Sequence, residues 1–437
     1  MRFSSPLQTR DNSTLTHKAI SLIAHFFIKK MTVGLQQLKI ENQKTMKKAI
    51  TLLSLGIVGL TTSCMASEKK DIAQNRAEHV IVHTTVPAPK PDNNTVKIAL
   101  LLDTSNSMDG LINQAKSQLW DIVNKFTYAK CGNGSKPNLE IALYQYGNDD
   151  LSSREGYIQQ VLGFSNDLDE ISEKLFSLST NGGEEYCGEV IQTSLRQLDW
   201  GTNADHLKMI FIAGNEPFTQ GKLNYKDAVT NAKEKDVVVN TIYCGNYEQG
   251  IHTDWKNGAV LTGGDYMAID HNKQIVHVNT PYDKEILQLN IQLNKTYVAY
   301  GSLGSSKLAM QAEQDSNAYE FEEAVAVKRA VSKSSGMYQN AKWDLVDAAK
   351  DKNFSIASVK KEQLPKELQN KSKEALAAYI EDKKKERESI QAKILELNKQ
   401  RSSYIAKNQK EASTGALENV MLDAIVKQAK KKNYKWE

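Results

Sequence analysis

The sequence predicts an α/β protein with a doubly wound, mostly parallel sheet, followed by an α-helical C-terminal region that contains a long helix. Residues 96–102 are apolar at nearly every position, which is typical of a strand buried on both faces in the middle of a parallel sheet. Further apolar runs alternate with segments of helical periodicity as far as residue 300. Beyond residue 300 the chain is rich in charged helix formers, which indicates a change of architecture.

The elements of the sheet region follow one another in a regular order. Strands are predicted over residues 96–102, 139–146, 157–164, 207–213, 237–243 and 263–269. Helices are predicted over residues 111–126, 168–178, 190–198, 225–235 and 283–300. Asp283 is well placed to cap the last of these helices.

Asp103, Ser105 and Ser107 stand in the turn between the first strand and the first helix. This turn lies at the carboxyl end of a strand, where α/β folds place their ligands. One carboxylate and two hydroxyl oxygens suit a hard divalent cation such as Mg²⁺. The alternative is that the three side chains only cap the helix, as Ser and Asp commonly do.

The same stretch resembles the metal-ion-dependent adhesion site (MIDAS) of von Willebrand factor type A (VWA) domains, and the resemblance covers roughly residues 95–300. It implies a VWA domain over 95–300 whose top face binds Mg²⁺ or Mn²⁺. It also implies a protein partner that offers an Asp or Glu to complete the coordination. Asp103, Ser105 and Ser107 match the first loop of the family's site in full.

The other two loops depart from the family's pattern. The second loop normally carries a Thr after glycines, where this chain has Glu184 and Glu185, and the third normally carries an Asp, where this chain has Gly214. Losing one Asp and gaining one Glu keeps two carboxylates at the site. We therefore expect Glu184 or Glu185 as a ligand and Glu216 as an outer carboxylate. The alternative is a degenerate site without metal, whose glutamates are simply solvated.

The residues before the sheet region carry a targeting pattern. Residues 46–64 have a basic start, a short apolar run and small residues before Cys64, and they resemble a bacterial lipoprotein signal. This implies cleavage before Cys64, its lipidation, and a periplasmic or surface-facing place in the cell envelope. A transmembrane anchor is the alternative, although the run is shorter than the ~20 residues that a spanning helix needs. We expect residues 1–45 to be an unstructured upstream extension and residues 65–94 to be a linker.

The net charge, the cysteines and the histidines bear on nucleic-acid binding, disulfide formation and catalysis, respectively. A net charge of +4 on 437 residues gives no indication of nucleic-acid binding. In an oxidising compartment Cys131, Cys187 and Cys244 would form one disulfide and leave one odd thiol. We expect Cys187 with Cys244, because Cys187 follows the second loop and Cys244 ends a strand at the same top face. The histidines are scattered without a nucleophile setting, so the protein is not expected to be an enzyme.

The remaining chain, residues 301–437, predicts a helical region. Short helices are predicted over 319–331 and 337–349, and residues 366–411 form a long helix with one narrow apolar stripe. That stripe favours a hairpin or coiled coil with a second helix over 416–432, in a region separable from the sheet. The two helices either form a partner-binding arm or merely cover each other.

Two functions follow from these patterns. The preferred one is an envelope-anchored, divalent-cation-dependent protein-binding module. The alternative is a metal-free structural or assembly scaffold of the envelope that acts through its C-terminal helices.

Overall fold

A computed structural model describes residues 95–132, 134–272, 277–408 and 417–436, with the backbone alone at 417–419. The strands are β1 (Thr95–Asp103), β2 (Ala129–Lys130), β3 (Asn138–Tyr146), β4 (Ile158–Ser165), β5 (Leu207–Gly214), β6 (Val238–Cys244), β7 (Tyr266–Ile269) and β8 (Lys435–Trp436). The helices are α1 (Asp109–Thr127), α2 (Leu168–Phe176), α3 (Cys187–Gln197), α4 (Tyr225–Glu234), α5 (Tyr247–His252), α6 (Trp255–Val260), α7 (Asp283–Asn294), α8 (Gly304–Phe321), α9 (Glu323–Lys333), α10 (Leu345–Ala348), α11 (Lys373–Asn408) and α12 (Leu417–Lys431).

Six strands form the central sheet, in the order β4-β3-β1-β5-β6-β7. All neighbouring pairs are parallel except β3 with β4, which is antiparallel at the edge. The predicted fold class, a doubly wound and mostly parallel sheet with a helical C-terminal region, is therefore confirmed. Outside this sheet, β2 pairs with β8 in an antiparallel ribbon.

The central strand is β1, and all nine of its residues are buried. Ile98 and Leu100 point into one core together with residues of α1, α2, α7, α9, α11 and α12. Ala99 and Leu101 point into the opposite core with residues of α3, α4 and α6. Because both faces of the sheet are covered, β1 has no polar face, which is why its sequence is continuously apolar.

The order of strands reverses at the carboxyl end of β1. From β1 the chain first adds β3 on one side, and it later returns to add β5 on the other side. Asp103 lies level with Tyr146 of β3, and Leu102 lies level with Ala213 of β5. Such a reversal of strand order is where open α/β sheets form ligand sites.

The C-terminal helices pack on the sheet region. The predicted long helix is present as α11, but it lies against α7, α9 and α10, while α12 lies against α1. Ile394 of α11 and Ile425 of α12 belong to the same core as Leu100. The predicted hairpin is thus wrong, because α11 packs on α7, α9 and α10. The packing also disagrees with a separable region, because Ile390, Ile394 and Leu397 of the stripe lie in the core of the sheet region.

Two buried arginines fasten α11 to its neighbours. Arg387 donates to Asp344 Oδ2 at 2.6 Å and to Asp347 Oδ1 at 2.9 Å. Arg401 Nε donates to Asp283 Oδ1 at 2.9 Å. Asp283 also accepts from the Thr280 amide and hydroxyl, at 2.8 and 2.7 Å. Asp283 was predicted to cap α7, but it is the first residue of that helix, and Tyr282 holds the cap position.

A third buried arginine joins helices from both halves of the chain. Arg329 of α9 pairs with Asp169 of α2 at 2.7 Å and with Asp315 of α8 at 2.6 Å. Lys333 of α9 also pairs with Asp315, at 2.7 Å. These contacts hold α8 and α9 on the sheet region.

Some predicted boundaries are wrong. The helix predicted over 283–300 ends at Asn294, and the segment 319–331 is divided between α8 and α9 at Glu322, whose backbone is extended. In the segment 337–349 only α10 is helical. The predictions for residues 1–45, 46–64 and 65–94, with lipidation at Cys64, lie outside the described residues. Among the described helices, none is both long and apolar enough to cross a membrane.

Candidate metal-binding site

Asp103 ends β1 and is fully buried. Its Oδ1 accepts a hydrogen bond of 2.7 Å from the Ser105 amide, which turns the chain out of the strand. Its Oδ2 is also buried and has no hydrogen-bond partner among the described residues. One oxygen of Asp103 thus shapes the turn, and the other remains available to a ligand.

The second loop is held close to the first by backbone contacts. The Asn181 amide donates to the Thr104 carbonyl at 2.9 Å. Gly183 lies so near Gly147 that a Cβ atom on it would come within 2.8 Å of the Gly147 carbonyl carbon. Only glycine fits such an approach of two backbones, and Glu184 and Glu185 follow it directly in the chain.

Of the two glutamates in this loop, Glu185 enters the site. It is 5% exposed, and a Cβ atom placed on Gly147 would lie 2.7 Å from Glu185 Cγ and 2.9 Å from Asp103 Oδ1, so both side chains border the same glycine. Its Oε2 is buried and has no described hydrogen-bond partner. Glu184 is exposed instead, and it accepts a bond of 3.0 Å from Gln220.

Burial and the close contact between the two carboxyl groups govern the ionisation of this pair. Burial raises the pKa of Asp103 well above its usual value, and the neighbouring charge of Glu185 raises it further. Burial likewise raises the pKa of Glu185. Ser105 Oγ lies near both carboxylates and favours their charged forms, but it makes no hydrogen bond of normal geometry with either.

In the third loop the polar residue is Asn215, which sequence reasoning missed. Gly214 is the last residue of β5, and a Cβ atom there would lie 2.5 Å from the Tyr146 hydroxyl oxygen and 3.3 Å from Asp103 Cβ. Asn215 Nδ2 donates to Ser107 Oγ at 3.3 Å, and its buried Oδ1 has no described partner. A polar residue directly after a buried strand was the signal that could have found it.

The other predicted residues lie at the edge of the site. Ser107 is exposed, and its hydroxyl accepts a hydrogen bond from Asn215 on the outer side of the site. The Glu216 side chain is exposed, and its carbonyl accepts from Trp255 Nε1 at 2.8 Å. Its backbone amide favours the charged form of the Glu185 carboxyl group. The structure therefore groups Asp103, Ser105 and Glu185 at the centre.

The donor set fits a hard divalent cation. Carboxylate, hydroxyl and amide oxygens with no described hydrogen-bond partner converge there from three loops, and Mg²⁺ and Mn²⁺ prefer oxygen. The described residues contain no group of three or more His, Cys, Asp or Glu side chains that could hold a metal. An ion at this site would therefore depend on two carboxylates supplemented by neutral oxygens.

The predicted disulfide is wrong. Cys187 and Cys244 are buried free thiols. Cys187 belongs to the core with Ala99 and Leu101, whereas Cys244 belongs to the opposite core with Leu100. The sheet thus separates the two sulfur atoms, although both residues lie near its carboxyl edge.

One serine and one histidine meet away from this site. Ser117 Oγ lies 3.1 Å from His277 Nε2, and Glu322 Oε2 lies 3.3 Å from the same nitrogen. A nucleophile relay needs the serine and the carboxylate on opposite ring nitrogens. This contact therefore does not have the geometry of a catalytic triad.

Part of the chain matches a known family of domains. Residues 97–251 match the family model of the von Willebrand factor type A domain. No curated protein matches the chain.

Several solved structures are similar over part of the chain. Proximal thread matrix protein 1 from the mussel byssus is 13% identical with a TM-score of 0.30, and the match covers 40% of this chain and 42% of that one. BatB from Bacteroides thetaiotaomicron is 16% identical with a TM-score of 0.31, over 40% of this chain and 90% of that one. The pilus adhesin SpaC from Lactobacillus rhamnosus GG is 13% identical with a TM-score of 0.30, over 40% and 28%.

These matches concern a limited part of the molecule. The chain spans less than half the length of the mussel protein, one form of which has a zinc-occupied MIDAS motif. VWA domains are generally involved in protein–protein interaction and adhesion. From the family match and the order of its sheet, residues 97–251 of this chain form a VWA domain.

Proposed function

We propose that this protein binds a protein partner through a divalent cation held at the carboxyl end of β1. One observation supports this most directly: Asp103 and Glu185 are buried side by side, and each has a buried oxygen without a described hydrogen-bond partner. Two adjacent buried carboxylates repel each other, and a divalent cation would offset both charges.

Five side chains would provide the oxygen ligands. Asp103, Ser105 and Glu185 would hold Mg²⁺ or Mn²⁺ from within, and Ser107 and Asn215 would supply oxygens from the outer side. The bound ion would supply positive charge at a surface that is otherwise negative. A partner's Asp or Glu would then complete the coordination.

Calorimetric titration of the purified full-length protein with Mn²⁺ tests this proposal. We expect binding by the wild type and a loss of about tenfold or more in affinity for Glu185→Gln, because the variant removes one of two charged ligands. Glu184→Gln is the matched control, since it changes the neighbouring carboxylate outside the ligand cluster, and it should bind like the wild type. Equal affinities in all three proteins, or no heat from a folded wild type, would reject the proposal.

We also propose that a lipid on Cys64 fixes the protein to the bacterial cell envelope. The support is the signal-like pattern of residues 46–64. Cys64→Ala should move the protein out of the membrane fraction or leave it unprocessed, whereas Ser63→Ala should fractionate like the wild type. A Cys64→Ala protein that is processed and remains membrane-bound would contradict the anchor.

The alternative of a metal-free scaffold acting through the C-terminal helices has less support. Its binding surface would be the apolar stripe of α11, and Ile390, Ile394 and Leu397 of that stripe are buried against the chain's own core. The scaffold function would take precedence if Mn²⁺ produced neither heat nor thermal stabilisation.

A further inference from the structure

Four exposed carboxylates surround the candidate metal site, and we call them the acidic rim: Asp109, Asp149, Glu184 and Glu216. Thr180 of the second loop donates to Asp109. Asp149 Oδ2 would lie 3.4 Å from a Cβ atom on Gly182, and Glu184 bonds to Gln220 of the third loop. Glu216 acts electrostatically on Glu185. The rim thus lies on the same loops that would hold the ion.

The charge of the rim is offset only weakly by described cations, of which Lys116 acts on Asp109 electrostatically without forming an ion pair. None of its four carboxylates forms an ion pair with a described Lys or Arg. The loops 103–109, 147–157, 179–186 and 215–224 together contain eight Asp or Glu residues against Arg154 and Lys222, which is a formal charge of −6. A divalent cation would reduce it to −4. The whole chain has a charge of +4, so this acidity is local.

A second observation points to a ligand inside the rim. Asp103, Ser105 and Glu185 are each at least nine-tenths buried inside it, and each has an oxygen with no described hydrogen-bond partner. Oxygens that are buried without partners are costly unless a ligand binds them. The rim is therefore the border of a binding site as well as a group of solvated side chains.

This arrangement sets a condition on the partner. A carboxylate that approaches the ion must first enter the negative potential of the rim, which lowers its rate of association. We propose that the partner segment presents one Asp or Glu flanked by Lys or Arg, so that the acidic residue reaches the ion while the basic ones pair with the rim. This inference rests on the proposed function of the same site.

The expected preference can be stated as a ratio of affinities. Charges within about 8 Å interact appreciably at physiological ionic strength. Exposed pairs in water contribute little individually, but several acting together should give about tenfold in affinity between a basic and an acidic flank. Raising the salt concentration should reduce this ratio.

Fluorescence polarisation with short labelled peptides tests the inference on the full-length protein in Mn²⁺. The probes carry an Asp between Lys pairs, an Asp between Glu pairs, and an Asn between Lys pairs. We expect the first to bind about tenfold more tightly than the second, and the third to lose the Mn²⁺-dependent part of binding. The double variant Asp149→Asn/Glu184→Gln removes two rim charges that act on neither Asp103 nor Glu185, so it should keep binding Mn²⁺ in calorimetry but lose much of the preference for Lys flanks.

The outcomes separate the two proposals. Equal affinity for the Lys-flanked and Glu-flanked Asp peptides, or a preference unchanged in the double variant, would overturn the inference while leaving the cation site intact. Binding of the Asn peptide as tight as that of the Asp peptide would overturn it as well. Absence of Mn²⁺ binding in calorimetry would instead refute the proposed function itself.

Discussion

Replacing Arg387 should strongly destabilise the protein, because this residue of α11 forms buried ion pairs and hydrogen bonds with other parts of the fold. The guanidinium is 1% exposed and pairs with Asp344, which is 0% exposed. It also donates to the Thr296 carbonyl at 2.7 Å and stacks over Tyr297, with 4.1 Å between Cζ and the ring centroid. In Arg387→Met the Asp344 carboxylate would keep only the Val298 and Asp347 amides as described donors.

Breaking one side of a buried ion pair costs about 3–5 kcal/mol, since the remaining charge stays buried without its partner. We expect Arg387→Met to lose this amount of unfolding free energy in urea titrations followed by far-UV circular dichroism. The matched control is Lys383→Ala, one turn earlier on α11, whose pair with Glu386 is exposed and should contribute less than about 1 kcal/mol. A loss below about 1 kcal/mol for Arg387→Met would refute the reasoning.

Two further predictions concern stability. Gly214→Ala should cost about 1–3 kcal/mol in urea titrations, because its Cβ would lie 2.5 Å from the Tyr146 hydroxyl, whereas a near-neutral result would contradict the close packing. Burial alone would raise the pKa of Asp315, but Lys333 and Arg329 outweigh burial and hold it well below its usual value. The ion pairs of Asp315 therefore stabilise the fold above the ordinary Asp pKa of about 3.9, and stability should fall as pH drops below it. Asp315→Asn should remove this part of the pH dependence, and an unchanged profile would contradict the assignment.

The sheet could be predicted from the sequence because burial on both faces leaves a continuous apolar run. β1, β5 and β6 were identified from such runs, and β1 placed Asp103 at its carboxyl end. The edge strand β4 is only partly buried, and it was predicted from its strand-forming residues and the polar turn before it. The α11 stripe showed that the helix is buried on one side, but a stripe does not specify what covers it. Its buried Arg387 pairs with residues some 40 positions earlier in the chain, a contact that no local pattern encodes.

The candidate site could be predicted only in part. Glu184 and Glu185 are adjacent in the chain, and no local pattern distinguishes the buried Glu185 from the exposed Glu184. The family's pattern draws attention to Gly214, which stands where the family has an Asp, and it assigns no role to the neighbouring Asn215. The Cys187 and Cys244 pairing failed because nearness to one edge of a sheet does not tell which face a side chain occupies.

The position of a bound ion is the most direct test of the proposed cation site. Crystals of the protein grown with Mn²⁺ and measured at a wavelength where manganese scatters anomalously would locate it. If the site binds a cation as proposed, we expect an anomalous peak between the Asp103 and Glu185 carboxylates. The peak should be absent in Glu185→Gln crystals and present in Glu184→Gln crystals. A wild-type map without a peak there, in a domain whose three loops are ordered, would contradict the claim that this VWA domain holds a cation.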